Sequence, residues 1–234
     1  MTDAAPPSPL DVLNRDMKDC VRCHLAEGRL QVVPGEGPDG ARVALIGHGP
    51  GGTDDETGHP YSGPGGDLLD QLLAQAGVAR GRLYITNMVK CWPWKVEHGQ
   101  RINRTPNAGE VKACEPIWLG RELEALRPAG IVCLGTTAAQ HFLGKGFKIT
   151  QGAGRWLPLP PDSPFLKVSG AHLDPAPPVM AIMQPAYLIH LAQHVPDAYD
   201  GAKTEMLRAL ARVKAVVDGA EPDVEAPENP APVS

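Results

Sequence analysis

The 234-residue chain has few aromatic side chains and no long apolar run. Phe, Trp and Tyr make up 5% of the residues, whereas aliphatic residues are plentiful, a balance typical of an α/β core. The first nineteen residues have neither a basic start nor an apolar stretch, so they do not match a secretory signal. No stretch is apolar enough to span a bilayer, and we therefore expect a cytoplasmic protein.

The chain also lacks an excess of positive charge. Its formal net charge of −5 is accounted for by residues 218–234, which carry five acidic side chains and no Lys or Arg. The remaining body is formally neutral, so DNA binding is neither indicated nor excluded. Proline enrichment near both ends predicts a disordered leader over residues 1–9 and a disordered acidic tail over 218–234. One domain over residues 10–217 lies between them.

Five cysteines in a reducing compartment indicate metal ligation or burial before they indicate disulfides. Cys20 and Cys23 lie in CVRCHL, which matches both a c-type haem attachment motif and half of a four-thiolate site. Haem attachment usually accompanies export, and the absence of an export segment disfavours it. Cys91 and Cys114 could complete a site for zinc or an iron–sulfur cluster, or could simply be buried. Cys133 lies in the apolar run IVCLG and is expected in the core.

Apolar periodicity predicts strands alternating with helices. The predicted strands are residues 41–47, 83–90, 131–135 and 179–183, and the predicted helices are residues 9–20, 66–76, 108–126, 136–143 and 197–217. Residues 91–107 read as a long irregular segment. This alternation indicates a mainly parallel sheet covered by helices on both faces. Ligands of such sheets bind beyond the carboxyl ends of the strands, where GHGPGG, the end of YITN and QPAYL should meet.

Six motifs follow one another from about Cys20 to about Leu191. They are C-x-x-C, GHGPGGTDDETGHPYSGPGGDLLDQLL, YITNMVKCWP, NRTPN, PAGIVCLGTTAA and QPAYLIH. In this order, with four matching cysteines, they resemble the family 4 iron–sulfur uracil-DNA glycosylases. The resemblance implies a three-layer α/β/α sandwich with a short, mainly parallel four-stranded sheet. It also implies a structural [4Fe–4S] cluster held by Cys20, Cys23, Cys91 and Cys114, with His24 incidental.

The function implied by the resemblance is DNA repair. A monofunctional enzyme, acting as a monomer on single- or double-stranded DNA, hydrolyses the bond between deoxyribose and a flipped-out uracil or a related deaminated base. Asn87 matches the asparagine that reads the O4 and N3–H edge of uracil. Tyr61 stands where the family has a Phe that stacks on the base. The substrate-binding residues would also include Gly47, Gly49, Pro50, Gly51 and Asp55, and the DNA contacts would be Pro185, Tyr187 and Leu188.

Two positions differ from the family pattern, and both are positions at which family members stabilise charge during the reaction. His48 stands where the family has Glu, and Gln184 stands where it has His. A neutral imidazole can accept a proton from water, and Gln184 keeps a donor for uracil O2. Losing one such donor typically lowers a rate about 10²–10³-fold. The sequence therefore predicts a slow or specialised glycosylase with His48, Gln184 and Asn87 as catalytic residues; the alternative is a non-catalytic protein that binds DNA, uracil or abasic sites. Tyr187 and Leu188 could equally be core residues at a helix start.

Overall fold

Alternate residues of the central strands face two separate apolar cores in the computed structural model, which describes residues 6–225. Ala44 and Ile46 of the first strand pack into one core, and Val43 and Leu45 pack into the other. Because successive side chains of a strand point to opposite faces, the sheet forms the middle of three layers. The predicted three-layer α/β/α sandwich is confirmed.

The described residues form seven strands and ten helices. The strands are β1 (Val43–Gly47), β2 (Tyr84–Asn87), β3 (Trp94–Glu97), β4 (Gln100–Asn103), β5 (Gly130–Leu134), β6 (Trp156–Leu157) and β7 (Val179–Ile182). The helices are α1 (Pro9–Met17), α2 (Gly52–Thr57), α3 (Pro64–Gln75), α4 (Ala108–Cys114), α5 (Leu119–Leu126), α6 (Thr136–Leu143), α7 (Ile149–Gly152), α8 (Pro164–Ser169), α9 (Pro185–His194) and α10 (Pro196–Val217).

The main sheet has five strands rather than the predicted four. Its order is β2-β1-β5-β7-β6, and the four predicted strands are parallel to one another. β6 is the additional strand and pairs antiparallel with β7 at the sheet edge. It contains only two residues and is followed by Pro158, which cannot donate a ladder hydrogen bond. So short a strand leaves no alternating pattern that sequence reasoning could detect.

The helix predicted over residues 108–126 is two helices. α4 ends at Cys114 and α5 begins at Leu119. Pro116 lies between them and has no N–H with which to continue the α4 hydrogen-bond ladder. The break leaves Cys114 at the carboxyl end of a short helix instead of in the middle of a long one.

The segment predicted to be irregular contains a β-hairpin. β3 and β4 pair antiparallel through four residue pairs, from Trp94 with Asn103 to Glu97 with Gln100. The turn residues His98 and Gly99 have φ values of +50° and +78°. Two successive positive φ values are characteristic of the type I′ turn, whose twist matches that of paired strands.

Both ends of the predicted domain extend further than the sequence suggested. Ser8 caps α1, which begins at Pro9, one residue before the predicted domain boundary. The predicted tail is ordered at its start: Glu225 lies 2.5 Å from Arg155 Nε and 2.9 Å from Arg212 Nη1. Residues 1–5 and 226–234 lie outside the described residues. Within the described part, every helix is too short or too polar to cross a lipid bilayer.

Candidate functional site

An open pocket lies beyond the carboxyl ends of β1 and β7. Its walls are residues 48–54, most of residues 61–66, and residues 103–105 at the end of the hairpin. Gln184 and Ala186 close the pocket at the start of α9. This is the edge at which ligands of parallel α/β sheets bind. The loop after β1 and the loop after β7 therefore meet as predicted. Gly47 and Asn87, also predicted to bind substrate, are not among the lining residues and lie next to the Tyr61 hydroxyl.

His48 is the first residue of the loop that follows β1, and its imidazole is partly buried in the pocket wall. Burial lowers the pKa of His48 below its usual value, because the charged imidazolium is poorly solvated there. The neutral form is therefore favoured at neutral pH. A neutral imidazole has one nitrogen that can accept a proton.

Asn87 ends β2 and is the register partner of Gly47 in β1. It is 1% exposed, and neither its Oδ1 nor its Nδ2 has a hydrogen-bond partner among the described residues. A side-chain carbon added at Gly47 would lie 2.4 Å from Asn87 Oδ1, so only glycine fits against this amide. A buried polar group without a partner costs about 1–3 kcal/mol. A ligand that pairs with the amide would remove that cost.

The ring of Tyr61 lies beside the same amide. A side-chain carbon added at Gly47 would lie 2.2 Å from the Tyr61 hydroxyl as well as 2.4 Å from Asn87 Oδ1. Tyr61 has a φ of +56°, a left-handed conformation that is uncommon for a bulky residue and concentrates at functional sites. Burial raises the pKa of Tyr61 above its usual value, so the hydroxyl stays protonated. The Tyr61 hydroxyl therefore lies close to the Asn87 amide.

Two adjacent aspartates on α2, of which Asp55 was predicted to bind substrate, make different contacts. The carboxylate of Asp55 accepts the main-chain N–H of Leu30 at 2.9 and 3.1 Å, and its side chain is 1% exposed. It holds a loop and does not line the pocket, contrary to its predicted role. Asp54 lines the pocket instead and accepts from the main-chain N–H of Gly51 at 3.0 Å and of Ser62 at 2.8 Å. Asp54 therefore joins the two pocket loops.

The start of α9 separates the predicted DNA contacts. Gln184 precedes the helix and lines the pocket, and Tyr187 is 49% exposed on the adjacent surface. Leu188 is fully buried and packs in the apolar core between the sheet and α3, α9 and α10. Pro185 is also buried. Leu188 and Pro185 therefore belong to the interior, and Tyr187 is the predicted contact that lies at the surface.

The four cysteines predicted as ligands line one cavity. Cys20 and Cys23 follow α1, Cys91 follows β2, and Cys114 ends α4. Cys133 lies in β5 with no exposed surface, as predicted for a core residue. The His24 imidazole lies 2.7 Å from the carboxylate of Glu110 and is not among the cavity residues.

The chemistry of this cavity suits thiolates that bind metal. Burial raises the pKa of Cys91 to about 11 and also raises the pKa of Cys23 and Cys114, so without a cation these thiols stay protonated. Two N–H groups point at sulfur: Arg29 Nη1 lies 3.4 Å from Cys91 Sγ, and Trp118 Nε1 lies 3.4 Å from Cys20 Sγ. Hydrogen bonds to cluster sulfurs are a known influence on such centres.

The four cysteines share one cavity but do not converge on a single point. Within residues 6–225, no three His, Cys, Asp or Glu side chains converge closely enough to hold one metal ion. Zinc requires four sulfurs about 2.3 Å from one centre. A [4Fe–4S] cluster binds each thiolate to a different iron, so its ligands are further apart. The residues present therefore fit such a group.

The hairpin supplies pocket residues that the sequence did not single out. The indole N–H of Trp92 donates to Asn103 Oδ1 at 2.7 Å, which fixes the last residue of β4 at the pocket wall. On the other side, the guanidinium of Arg101 lies 4.0 Å above the ring of Trp94 and donates to the main-chain oxygen of Gly28. The hairpin therefore connects the pocket to the loop that follows Cys23. The only sequence signal for Asn103 was its place in NRTPN.

A family model described as the uracil DNA glycosylase superfamily matches residues 34–211 of the chain. Among curated relatives, the type-4 uracil-DNA glycosylase of Pyrobaculum aerophilum is 40% identical over 134 residues, which are 57% of this chain and 64% of that protein. The type-4 uracil-DNA glycosylase of Thermotoga maritima is 38% identical over 152 residues, 63% of this chain and 75% of that protein. That of Archaeoglobus fulgidus is 40% identical over 131 residues, 56% of this chain and 62% of that protein.

These matches cover less than two thirds of the Pyrobaculum and Archaeoglobus proteins and three quarters of the Thermotoga protein. The superfamily model spans the whole of the central sheet and both pocket loops. The chain therefore belongs to the uracil-DNA glycosylase superfamily, as a member of its type-4 family.

Proposed function

We propose that the chain hydrolyses the bond between deoxyribose and a uracil that has left the DNA stack. The observation that carries this proposal is the buried, unpaired amide of Asn87. One amide can donate to uracil O4 and accept from uracil N3–H at the same time. Cytosine presents a donor and an acceptor in the reverse order and would leave both atoms of the amide unpaired. The Tyr61 ring beside the amide would stack on the base.

His48 and Gln184 act in this proposal without a formal charge. Neutral His48 accepts a proton from the water whose oxygen bonds to the sugar carbon C1′. The bond from C1′ to uracil N1 breaks, and its electron pair leaves with the base as an anion. The Gln184 side chain donates an N–H to uracil O2 as this negative charge grows. Without the carboxylate that family members have at position 48, the developing sugar cation has less electrostatic support, and turnover is slow.

The cofactor in this proposal is a [4Fe–4S] cluster held by Cys20, Cys23, Cys91 and Cys114. The four-thiol cavity and its two N–H···S contacts support it. The cluster supplies structural cross-links and takes no part in cleavage of the glycosidic bond. Uracil-containing DNA is the proposed partner, and the exposed Tyr187 next to the pocket supports a contact there. Since one chain supplies the whole pocket, a monomer is sufficient.

The test is release of uracil from an end-labelled oligonucleotide that carries one uracil, followed by alkaline cleavage at the abasic site. Excess enzyme should convert both single- and double-stranded substrates to the shorter product. Asn87→Leu should lower the rate by at least about 10²-fold, because the base-reading amide is gone.

Asn14→Leu is the matched control for that variant. Asn14 also has a buried amide oxygen without a partner, but its Nδ2 donates to the main-chain oxygen of Gly35, in a part of the chain that does not line the pocket. This variant should excise uracil at the unchanged rate. If the unaltered chain produces no cut on any substrate over several hours, catalysis on uracil is rejected.

A further inference from the structure

A buried ion pair lies directly behind Asn87. Lys90 is 1% exposed and Glu122 is fully buried, and Lys90 Nζ lies 2.6 Å from Glu122 Oε2. Lys90 Nζ also donates to the main-chain oxygen of Asn87 at 2.9 Å and to Thr86 Oγ1 at 2.5 Å. Buried ion pairs are often no more stabilising than apolar residues of the same volume. Stability alone therefore does not account for two charges at this position.

Lys90 also connects Asn87 to the cysteine cavity. It immediately precedes Cys91, and it lines the cysteine cavity together with Cys91 and Cys114. Glu122 comes from α5 and also accepts from Thr86 Oγ1 at 3.1 Å. The end of β2 is thus restrained by the ion pair, and the same lysine belongs to the wall of the cysteine cavity.

The amide of Asn87 has no side-chain hydrogen bond among the described residues, so its direction is set by packing and by its main chain. A rotation of the amide by half a turn would exchange donor and acceptor and would favour cytosine over uracil. Lys90 is the side chain that bonds the main-chain oxygen of this residue. By restraining the main chain of Asn87, Lys90 therefore influences which base the amide can pair with.

We propose that the Lys90–Glu122 ion pair is a positioning element that sets the selectivity of the pocket for uracil over cytosine. This inference rests on the proposed function, since it concerns the base read by Asn87. Neither side chain lines the pocket or contacts substrate; both act through Asn87. Small displacements of a positioned group lower rates steeply, so the largest effect is expected on turnover, with a smaller effect on the relative affinity for the two bases.

The test replaces the pair by two apolar side chains of similar length, Lys90→Met with Glu122→Met, which avoids leaving one buried charge alone. The measurement is the ratio of excision rates on oligonucleotides with uracil or cytosine at the same position. We expect the ratio to fall about tenfold or more, mainly through kcat on uracil. The unfolding midpoint and the iron content, measured on the same samples, show whether the variant is folded and loaded.

Glu115 and His141 provide the matched control. Glu115 is fully buried and lies 2.7 Å from His141, but neither residue bonds to Asn87. Glu115→Met with His141→Met should change stability and leave the uracil-to-cytosine ratio unaltered. An equal fall in both double variants would show that the loss is a general effect of removing buried charge, and would overturn a specific role for Lys90.

An unchanged ratio in a folded Lys90→Met, Glu122→Met variant also overturns the proposal. If that variant does not fold, Thr86→Val removes one contact from each member of the pair with little change in shape, and should lower the ratio by about threefold. If the unaltered chain excises no uracil, the proposed function fails separately. The relative affinity for oligonucleotides with 2′-fluoro-deoxyuridine or 2′-fluoro-deoxycytidine, whose sugars resist hydrolysis, then tests the pair in the same variants. A weaker preference for the uridine analogue in Lys90→Met with Glu122→Met supports the proposal, and an unchanged preference overturns it.

Discussion

The residues proposed to act in catalysis carry little formal charge. Asn87 and Gln184 are amides, and burial lowers the pKa of His48, so the imidazole is neutral near pH 7. A developing sugar cation would therefore be stabilised by dipoles rather than by a carboxylate at position 48. Fixed dipoles in a water-poor site are effective but weaker than an opposite charge at the same distance.

The protonation of His48 gives a prediction for the pH dependence of excision. Because its folded-state pKa lies below the usual value of about 6.5, His48 stays neutral down to that pH and becomes protonated only in more acidic solution. We expect kcat/KM to be flat between about pH 6.5 and 8 and to fall about tenfold per unit at lower pH. His48→Gln should be slower and should lose this acidic limb. An acidic limb that persists in His48→Gln would assign the titration to another group.

The sequence identified the loops that form the pocket but not the role of every residue in them. Asn87 was recognisable because it follows a buried strand at the edge where ligands bind. Asp54 and Asp55 were not distinguishable, because neighbouring helix residues point about 100° apart and their directions depend on how α2 docks. The sequence also could not show that Asn103 approaches the pocket, since that contact depends on the hydrogen bond from Trp92.

Elements were predicted best where their pattern was long. All four parallel strands and the helix at residues 136–143 were found, because a buried run or a helical apolar face extends over several residues. The boundary errors arose at single residues that end an element, such as Pro116. The hairpin was missed because its strands are only four residues long and mostly exposed, and its His98-Gly99 turn is a weaker signal than Asn-Gly.

Opposite effects are predicted for two neighbouring residues of α9. Leu188→Ala should lower the free energy of unfolding by about 2–5 kcal/mol, because it leaves a cavity in a core that excludes solvent. Tyr187→Ala should change stability by less than about 0.5 kcal/mol, since the ring is half exposed, but should weaken DNA binding. Urea unfolding and a DNA titration of both variants check this. A Leu188→Ala protein of unchanged stability would contradict the core position.

The whole molecule has two cores and one four-cysteine cavity. The sheet separates the cores, and the cavity gathers the loop after α1, the end of β2 and the end of α4. These segments are distant in sequence, so a cluster shared by them would restrict the unfolded chain as a set of cross-links does. Spacing alone could not predict this convergence; the resemblance to a known family did.

Two cysteine variants separate ligation from burial. Cys114→Ala should lose iron and lower the unfolding midpoint by more than about 10 °C, equivalent to about 3 kcal/mol for a chain of this size. Cys133→Ala removes an equally buried sulfur that lies outside the cavity, and should keep its iron at a cost of about 1 kcal/mol. Iron analysis and thermal unfolding give the comparison. Full iron content in Cys114→Ala would exclude Cys114 as a ligand.

The solitary amide of Asn87 has an implication for protein engineering. A leucine of similar shape at position 87 would bury no polar atom. Because an unpaired buried polar atom is destabilising, this substitution would raise the free energy of unfolding. A library screened only for heat resistance would consequently enrich apolar residues at this position. Under the proposed function, the variants recovered by such a screen would be stable but would not recognise uracil, so thermostable versions of this protein have to be selected for excision as well.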